Sequence, residues 1–226
     1  MRIAVLGTGS VGRTLASAFA RLGHEVTVGT RDVAGTLART GPDGMGNEPY
    51  SAWAQANPEV RLAAFADVAA DADLVVNATS GDASLAALRA VGEDGLAGRV
   101  VLDVANPLDF SRGFPPTLSV QGTDSLAEQL QRAFPQARVV KALNTMTASV
   151  MADPRGLADG QHTVFVCGDD AAAKKTVTGL LAQLGHRDVL DLGDLSTARG
   201  AEMLLPLWLR LYAALGTSEF NFKIVR

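Results

Sequence analysis

The sequence predicts an α/β fold, a doubly wound parallel sheet with a small C-terminal extension of helix and strand. Three observations point there. Short runs rich in valine, isoleucine and leucine alternate with helical patterns along most of the 226 residues. The runs are continuously apolar over stretches such as 3–6, 74–76 and 100–102, which is the pattern of strands covered on both faces. The first run passes directly into Gly7-Thr8-Gly9-Ser10-Val11-Gly12 and then into a helical stretch.

The first strand spans 3–6. The helix at 11–22 is built of small residues, and Gly23 stops it as a glycine just past a helix end does. A second strand, 25–29, leads into a long glycine-rich loop, 30–48, with room for one helical turn. A short helix at 50–56 precedes strands at 60–64 and 74–78, with a helical turn between them. There follow a helix at 83–91, a fifth strand at 100–104 and an irregular loop at 106–123 around Pro115-Pro116. A helix at 125–134 and a sixth strand at 138–143 come next. The last third holds strands at 163–167 and 188–192 around a helix at 171–184. A largely helical stretch, 195–215, and a terminal strand at 220–225 complete the chain. A boundary near 144–153 divides a nucleotide-binding domain, 1–145, from a segment, 146–226, that completes the sheet and the acceptor pocket. Right-handed crossovers place ligands at the carboxyl edge of such a sheet, where strand order reverses.

Composition narrows the class. Apolar residues make up 47%, charged residues 19%, and the formal net charge is −4. This excludes an acidic disordered tail and a basic nucleic-acid module. The single cysteine, Cys167, provides neither an internal disulfide nor a multi-cysteine metal site, which suits a reducing cytoplasm. The apolar run at 3–6 is too short for a leader, and 201–215 carries Glu202, Pro206 and Arg210 and falls short of a membrane span.

The glycine turn has a division of labour. Gly7 permits the tight turn, Gly9 lets backbone approach a pyrophosphate, and Gly12 lets helix and strand pack closely. Thr8, Ser10 and Val11 present backbone N–H groups at the positive end of the helix. The reading is a dinucleotide site. At the end of the second strand, Val26 and Val28 set the inward alternation and put the cofactor-deciding slot at Thr30, which is not acidic. Arg31 suits a ribose 2′-phosphate, so NADP(H) is expected. Asp32, 20 residues after Gly12, keeps a ribose-binding alternative, and with it NAD(H), open.

Ala78, Thr79 and Ser80 follow the fourth strand, and their small size lets a ring approach the backbone; Ser80 or Asp82 also suits a helix cap. Asn106 can hydrogen-bond a carboxamide or serve as a turn residue before Pro107. Asn144 and Thr145, at the end of the sixth strand, reach the same edge. Lys141 reads as a strand-edge charge, on the face opposite Asn144. His24, His162 and His186 each precede a strand, which puts all three at the amino edge, away from the crevice. No acid–base residue is thus placed for a carbonyl substrate, and no metal site is evident. Asp169 and Asp170 read as the cap of the next helix. The helix at 203–212 is apolar nearly all round and asks for burial on more than one side, for which a homodimer is the preferred explanation.

Three blocks together, MRIAVLGTGSVGRTLASAFARLGHEVTVGTRD, VVKALNT and GDLSTARGAEMLLPLW, resemble the NADPH-dependent coenzyme F420 reductases, or F420H2:NADP oxidoreductases. The resemblance runs through most of the chain. It implies a Rossmann domain, contacts of Thr8, Gly9, Ser10, Val11 and Gly12 with the pyrophosphate, and contacts of Thr30 and Arg31 with the 2′-phosphate. It also implies that Ala78, Ala142 and Asn144 line the nicotinamide. Leu143 stands where many members have Phe, and Ala78-Thr79-Ser80 replaces a bulkier, Pro-containing turn. The expected activity is hydride transfer between NADP(H) and coenzyme F420 or a flavin-like acceptor, a small molecule, with no nucleic-acid or membrane partner. The alternatives are an NADP-dependent ketone or imine reductase using Lys141 or Thr145 as proton donor, and a non-catalytic NADP(H)-binding redox sensor.

Overall fold

In the computed structural model, which describes residues 1–43 and 46–226, the chain leaves the amino edge through β1 (Arg2–Leu6) and descends through α1 (Ser10–Arg21). It then forms β2 (Glu25–Thr30), α2 (Val33–Ala38), α3 (Tyr50–Ala56), β3 (Arg61–Ala64) and α4 (Phe65–Val68). The next elements are β4 (Leu74–Asn77), α5 (Gly81–Val91), α6 (Glu93–Leu96) and β5 (Val100–Asp103). Two short strands, β6 (Leu108–Asp109) and β7 (Thr117–Leu118), pair within the loop expected to be irregular. After α7 (Leu126–Ala133) come β8 (Arg138–Ala142), α8 (Ala148–Ala152), β9 (Thr163–Gly168), α9 (Ala171–Leu184) and β10 (Asp188–Gly193). The chain finishes with α10 (Ala198–Met203), α11 (Leu205–Leu215) and a tail.

One sheet runs in the order β10-β9-β8-β5-β4-β1-β2-β3. Successive residues of β1 enter opposite cores, as an alternating strand buried on both faces must. Ile3 and Val5 join Leu15, Phe19 and Leu180 on one face; Ala4 and Leu6 join Leu88, Leu130 and Ala201 on the other. β2 pairs with one edge of β1 and β4 with the other, so the switch in strand order falls between β1 and β4. This is the crevice where such a sheet accepts a ligand.

The sheet departs from all-parallel order at one pair. β9 runs antiparallel to β8, with Ala142 opposite Val166 and Val140 opposite Gly168, and β10 is parallel to β9. A parallel return needs a crossover as long as the strand, usually a helix. Between β8 and β9 the chain has only the five-residue α8 and two 3-10 turns, so it re-enters beside the end it left.

This reversal corrects the expected positions of two histidines. His162 and His186 precede β9 and β10, and so lie toward the carboxyl end of β8 rather than its amino end. Both are buried. His162 Nε2 meets the Pro154 carbonyl at 3.2 Å, and His186 Nε2 meets the Met151 carbonyl at 3.1 Å. Burial pulls both below the ordinary histidine value of 6.5, His186 to about 4. The folded state therefore favours neutral imidazole. The unfolded chain takes up protons first as pH falls through 6.5, and stability drains away down to about pH 4. His186 alone accounts for a loss of about 2 kcal/mol between pH 7.5 and pH 5. Urea unfolding at the two pH values should show it, and His186→Gln should shrink the difference. An unchanged difference removes His186 as the source. Asp188, held near 2 by bonds from Thr163 and Lys223, titrates below this window.

The expected terminal strand does not form. Thr163 N–H donates to the Phe222 carbonyl, but Ile224 N–H donates to the Thr163 hydroxyl instead of continuing a ladder. Lys223 and Arg226 hold the tail through Asp188, at 2.9 and 2.8 Å. α11 buries Leu205 and Leu209 and leaves Leu207, Tyr212 and Leu215 exposed. No helix among the described residues is long and apolar enough to cross a membrane.

Candidate functional site

A cavity of about 730 Å³ opens at the switch between β1 and β4. Gly7, Thr8 and Gly9 form one wall, Thr30 and Arg31 a second, and Ala78, Thr79 and Ser80 a third. Asp32 also lines it, so nine of the residues singled out in the sequence meet around one space. The three glycines have distinct geometry. Gly7 has φ +116°, and a Cβ there would sit 2.6 Å from the Ala78 carbonyl oxygen. A Cβ on Gly12 would sit 2.1 Å from the Gly7 carbonyl oxygen, so this glycine stands behind the turn and lets α1 pack against it. A Cβ on Gly9 meets nothing within 4 Å, although its backbone at φ −76°, ψ −176° suits any residue. Packing thus accounts for Gly7 and Gly12 but not for Gly9. The space beside Gly9 has the form of a cradle that a side chain would fill.

Some helix starts are closed by a side chain, and others, on and off the cavity, are left open. α2, α7 and α9 each begin with a side chain that closes the first turn: Asp32, Ser125 and Asp170. α1 begins at Gly9 and α5 at Ser80, both on the cavity wall and neither closed by a side chain. Ser80 is therefore not the side-chain cap that its position allowed. Open helix starts present N–H groups and partial positive charge to an anion. Asp32 Oδ1 accepts from Gly35 N–H at 3.0 Å, and a Cβ on Gly35 would lie 2.3 Å from its Oδ2. The carboxylate caps the first turn of α2, while Asp32 also lines the cavity. Thr30 bonds the Thr36 hydroxyl at 2.8 Å beneath it.

Other expected site residues lie off this wall. Ser10 and Val11 stand in the first turn of α1, beside the cavity rather than lining it. Ala142 is fully buried in the core, and Asn144 is only 2% exposed. Asn144 Nδ2 donates to Asn106 Oδ1 at 3.0 Å and to the Ala201 carbonyl at 3.0 Å; Asn106 Nδ2 returns a bond to the Asn144 carbonyl at 2.8 Å. Ala142 is not among the residues lining the cavity, and Asn144 fastens the loops after β5 and β8 to α10. Thr145 is 1% exposed.

Lys141 corrects the sequence reading most. It is not a strand-edge charge but a fully buried ammonium, 2.8 Å from Asp103 and 2.8 Å from Glu202. Burial pulls its pKa down, and the two carboxylates outweigh that, so it stays charged with its pKa above the ordinary lysine value. Glu202 also accepts from the Leu126 and Ala127 N–H groups at the start of α7, at 2.8 and 3.2 Å. Nor does Asn144 lie on the opposite face. Leu143 takes φ +66°, which breaks strand alternation and turns Asn144 toward the helix that carries Glu202. A left-handed leucine costs about 1–3 kcal/mol, which the surrounding bonds offset. Beyond Lys141, Asp103 accepts from Asn77 Nδ2 at 2.8 Å, and Asn77 Oδ1 accepts from the Thr79 hydroxyl at 2.7 Å. A continuous polar chain therefore runs from the C-terminal helices to the cavity wall.

Sequence reading missed Arg39, Phe65 and the alanines of α5 (Ala83, Ala87 and Ala90 among them), all of which line the cavity. The alanine spacing was a usable signal, because 83, 87 and 90 share a helix face. Polar Asn77, Asp103 and Lys141 inside apolar strands were another, since such groups demand buried partners. Cys167 is buried, and burial pushes its thiol up, as expected of an inert core cysteine.

Comparison with known proteins agrees with this geometry. Residues 2–107 match the family described as "NADP oxidoreductase coenzyme F420-dependent". The chain is 30% identical over 155 residues to the F420-dependent NADP reductase of Methanocaldococcus jannaschii, covering 67% of this chain and 68% of that protein. It is 32% identical over 212 residues to metalloreductase STEAP3 of Rattus norvegicus, covering 92% of this chain but only 38% of that longer protein. A crystal structure of a candidate F420-dependent NADP-reductase from Arthrobacter sp. FB24 is 64% identical, covers 99% of both chains and superposes with a TM-score of 0.95. The chain belongs to the coenzyme F420-dependent NADP oxidoreductase family and is an NADP-dependent oxidoreductase.

Proposed function

We propose that the protein transfers hydride between NADP(H) and coenzyme F420 or a related planar, flavin-like acceptor. The observation that carries the nucleotide half is the open Cβ position at Gly9 on a cavity also lined by Arg31, whose guanidinium has no partner among the described residues. In this reading the N–H groups of the 7–12 turn hold the pyrophosphate, and Thr30 and Arg31 hold the 2′-phosphate. Phe65 and the alanine face of α5 give the adenine an apolar wall. The nicotinamide, when bound, supplies the hydride, and the chemistry of the step is the cofactor's own. The protein's part is to hold the donor and acceptor rings together and keep water out, and orientation of that kind supplies about 7–11 kcal/mol of a barrier. Lys141 does not fit the role of proton donor to a ketone or imine, because it is buried and held by two carboxylates.

The acceptor half rests on the family. Mixing the protein with NADPH and F420 should bleach the deazaflavin absorbance with equimolar oxidation of NADPH. The alignment with STEAP3 over 92% of this chain favours one second reading, a flavin or ferric acceptor. Parallel assays with FMN, FAD and ferric citrate separate the two. Turnover with these and none with F420 overturns the F420 assignment. NADPH binding without turnover of any acceptor points to a sensor instead.

A further inference from the structure

We infer that Arg39 is a second guanidinium for the nucleotide's extra phosphate, and that Asp32 and Thr36 position it. This rests on the NADP reading above and assigns a specificity residue within it.

Arg39 lines the same cavity as Arg31, eight residues away along the chain. Neither guanidinium has an ion-pair or hydrogen-bond partner among the described residues. Arg2, Arg132, Arg138, Arg199 and Arg226, by contrast, each meet a carboxylate. Arg39 also borders an adjoining chamber of about 360 Å³, together with Thr8, Gly9 and Arg13. Arg13 is already engaged, with the Glu48 carbonyl at 2.7 Å and Asp43 at 3.2 Å. That leaves Arg39 as the cation of this wall without a partner among the described residues. Arg31, Asp32 and Arg39 all line this cavity, so in a chain of net charge −4 its wall carries two cations against one carboxylate and calls for an anion. A phosphate monoester, with close to two charges, fits that demand better than a ribose hydroxyl.

The local fold explains how Arg39 arrives there. Arg31 precedes α2 and Arg39 is the residue that ends it, with extended backbone at φ −71°, ψ 126°. Asp32 closes the first turn through Gly35 N–H, and Thr36 ties the helix to Thr30 at the end of β2. A helix of six residues is about 9 Å long, and the residues that flank it, Asp32 and Arg39, both line the cavity. The acidic residue that suggested ribose recognition thus also starts the helix that carries a second arginine toward a phosphate.

The experiment is equilibrium titration of NADPH and NADH, followed by nucleotide fluorescence, on wild type, Arg39→Ala, Arg39→Lys and Arg31→Ala. Wild type should bind NADPH more tightly. Arg39→Ala should weaken NADPH tenfold or more and leave NADH within twofold, and Arg39→Lys should recover part of the loss. Retained NADH binding shows that the exposed substitution leaves the fold intact. Equal losses for both nucleotides, or no loss, overturn the role of Arg39 while the Arg31→Ala result still stands for the NADP reading. A wild type that does not distinguish the two nucleotides overturns both.

Discussion

Lys141→Ala should lower unfolding free energy by about 3–5 kcal/mol, the usual cost of stranding a buried charge. The substitution removes the cation between Asp103 and Glu202, both buried, and leaves two carboxylates facing each other without water. Glu202 retains its bonds from Leu126 and Ala127 N–H, which soften the loss on one side. Asp103 retains Asn77. Neither set replaces the ammonium. For a chain of this length the melting temperature should drop by on the order of 10 °C. Glu202→Ala should be costly too, because it also takes the acceptor from the Leu126 and Ala127 N–H groups, and Glu202→Gln should cost less, because one acceptor oxygen remains. Urea denaturation of the three variants checks this. A loss below about 1 kcal/mol for Lys141→Ala would mean that the lysine is not held as a charge.

The glycines of the turn should separate stability from binding. Gly12→Ala places a Cβ 2.1 Å from the Gly7 carbonyl oxygen, so α1 must shift away from the strand. It should lower both melting temperature and nucleotide affinity. Gly9→Val should melt like wild type, since the backbone there is extended and the Cβ position is clear. Its side chain fills the cradle, and NADPH binding should weaken roughly a hundredfold, about 2.7 kcal/mol. Thermal melts and NADPH titrations on the same samples measure both. If Gly9→Val binds NADPH as wild type does, the pyrophosphate does not lie on this turn, and the nucleotide site must be sought elsewhere.

Most elements were legible because their causes are local. α9 follows from apolar spacing between Asp170 and Gly185, which close its two ends within the span itself. The glycine turn announced its own geometry, and Thr30 and Arg31 fell on the cavity because alternation along β2 sets which residue ends the strand facing inward. The misses share a different cause. Lys141 and Asn144 were read by strand parity, which holds only while the strand continues, and the left-handed Leu143 ends it. His162 and His186 were assigned to an edge by assuming that every strand is parallel, and β9 is not.

By itself, the sequence determined the alternation of strands and helices, the phosphate-type turn after β1 and the basic residue at the end of β2. These depend on side-chain period and on backbone freedom at single positions, which neighbouring residues decide. Only the tertiary structure decided that Lys141 is enclosed by Asp103 and Glu202, that β9 reverses and that Arg39 returns to the cavity beside Arg31. Each of these joins residues far apart in space or sequence. Their energies come from desolvation and charge pairing, which exist only once the chain has closed around them.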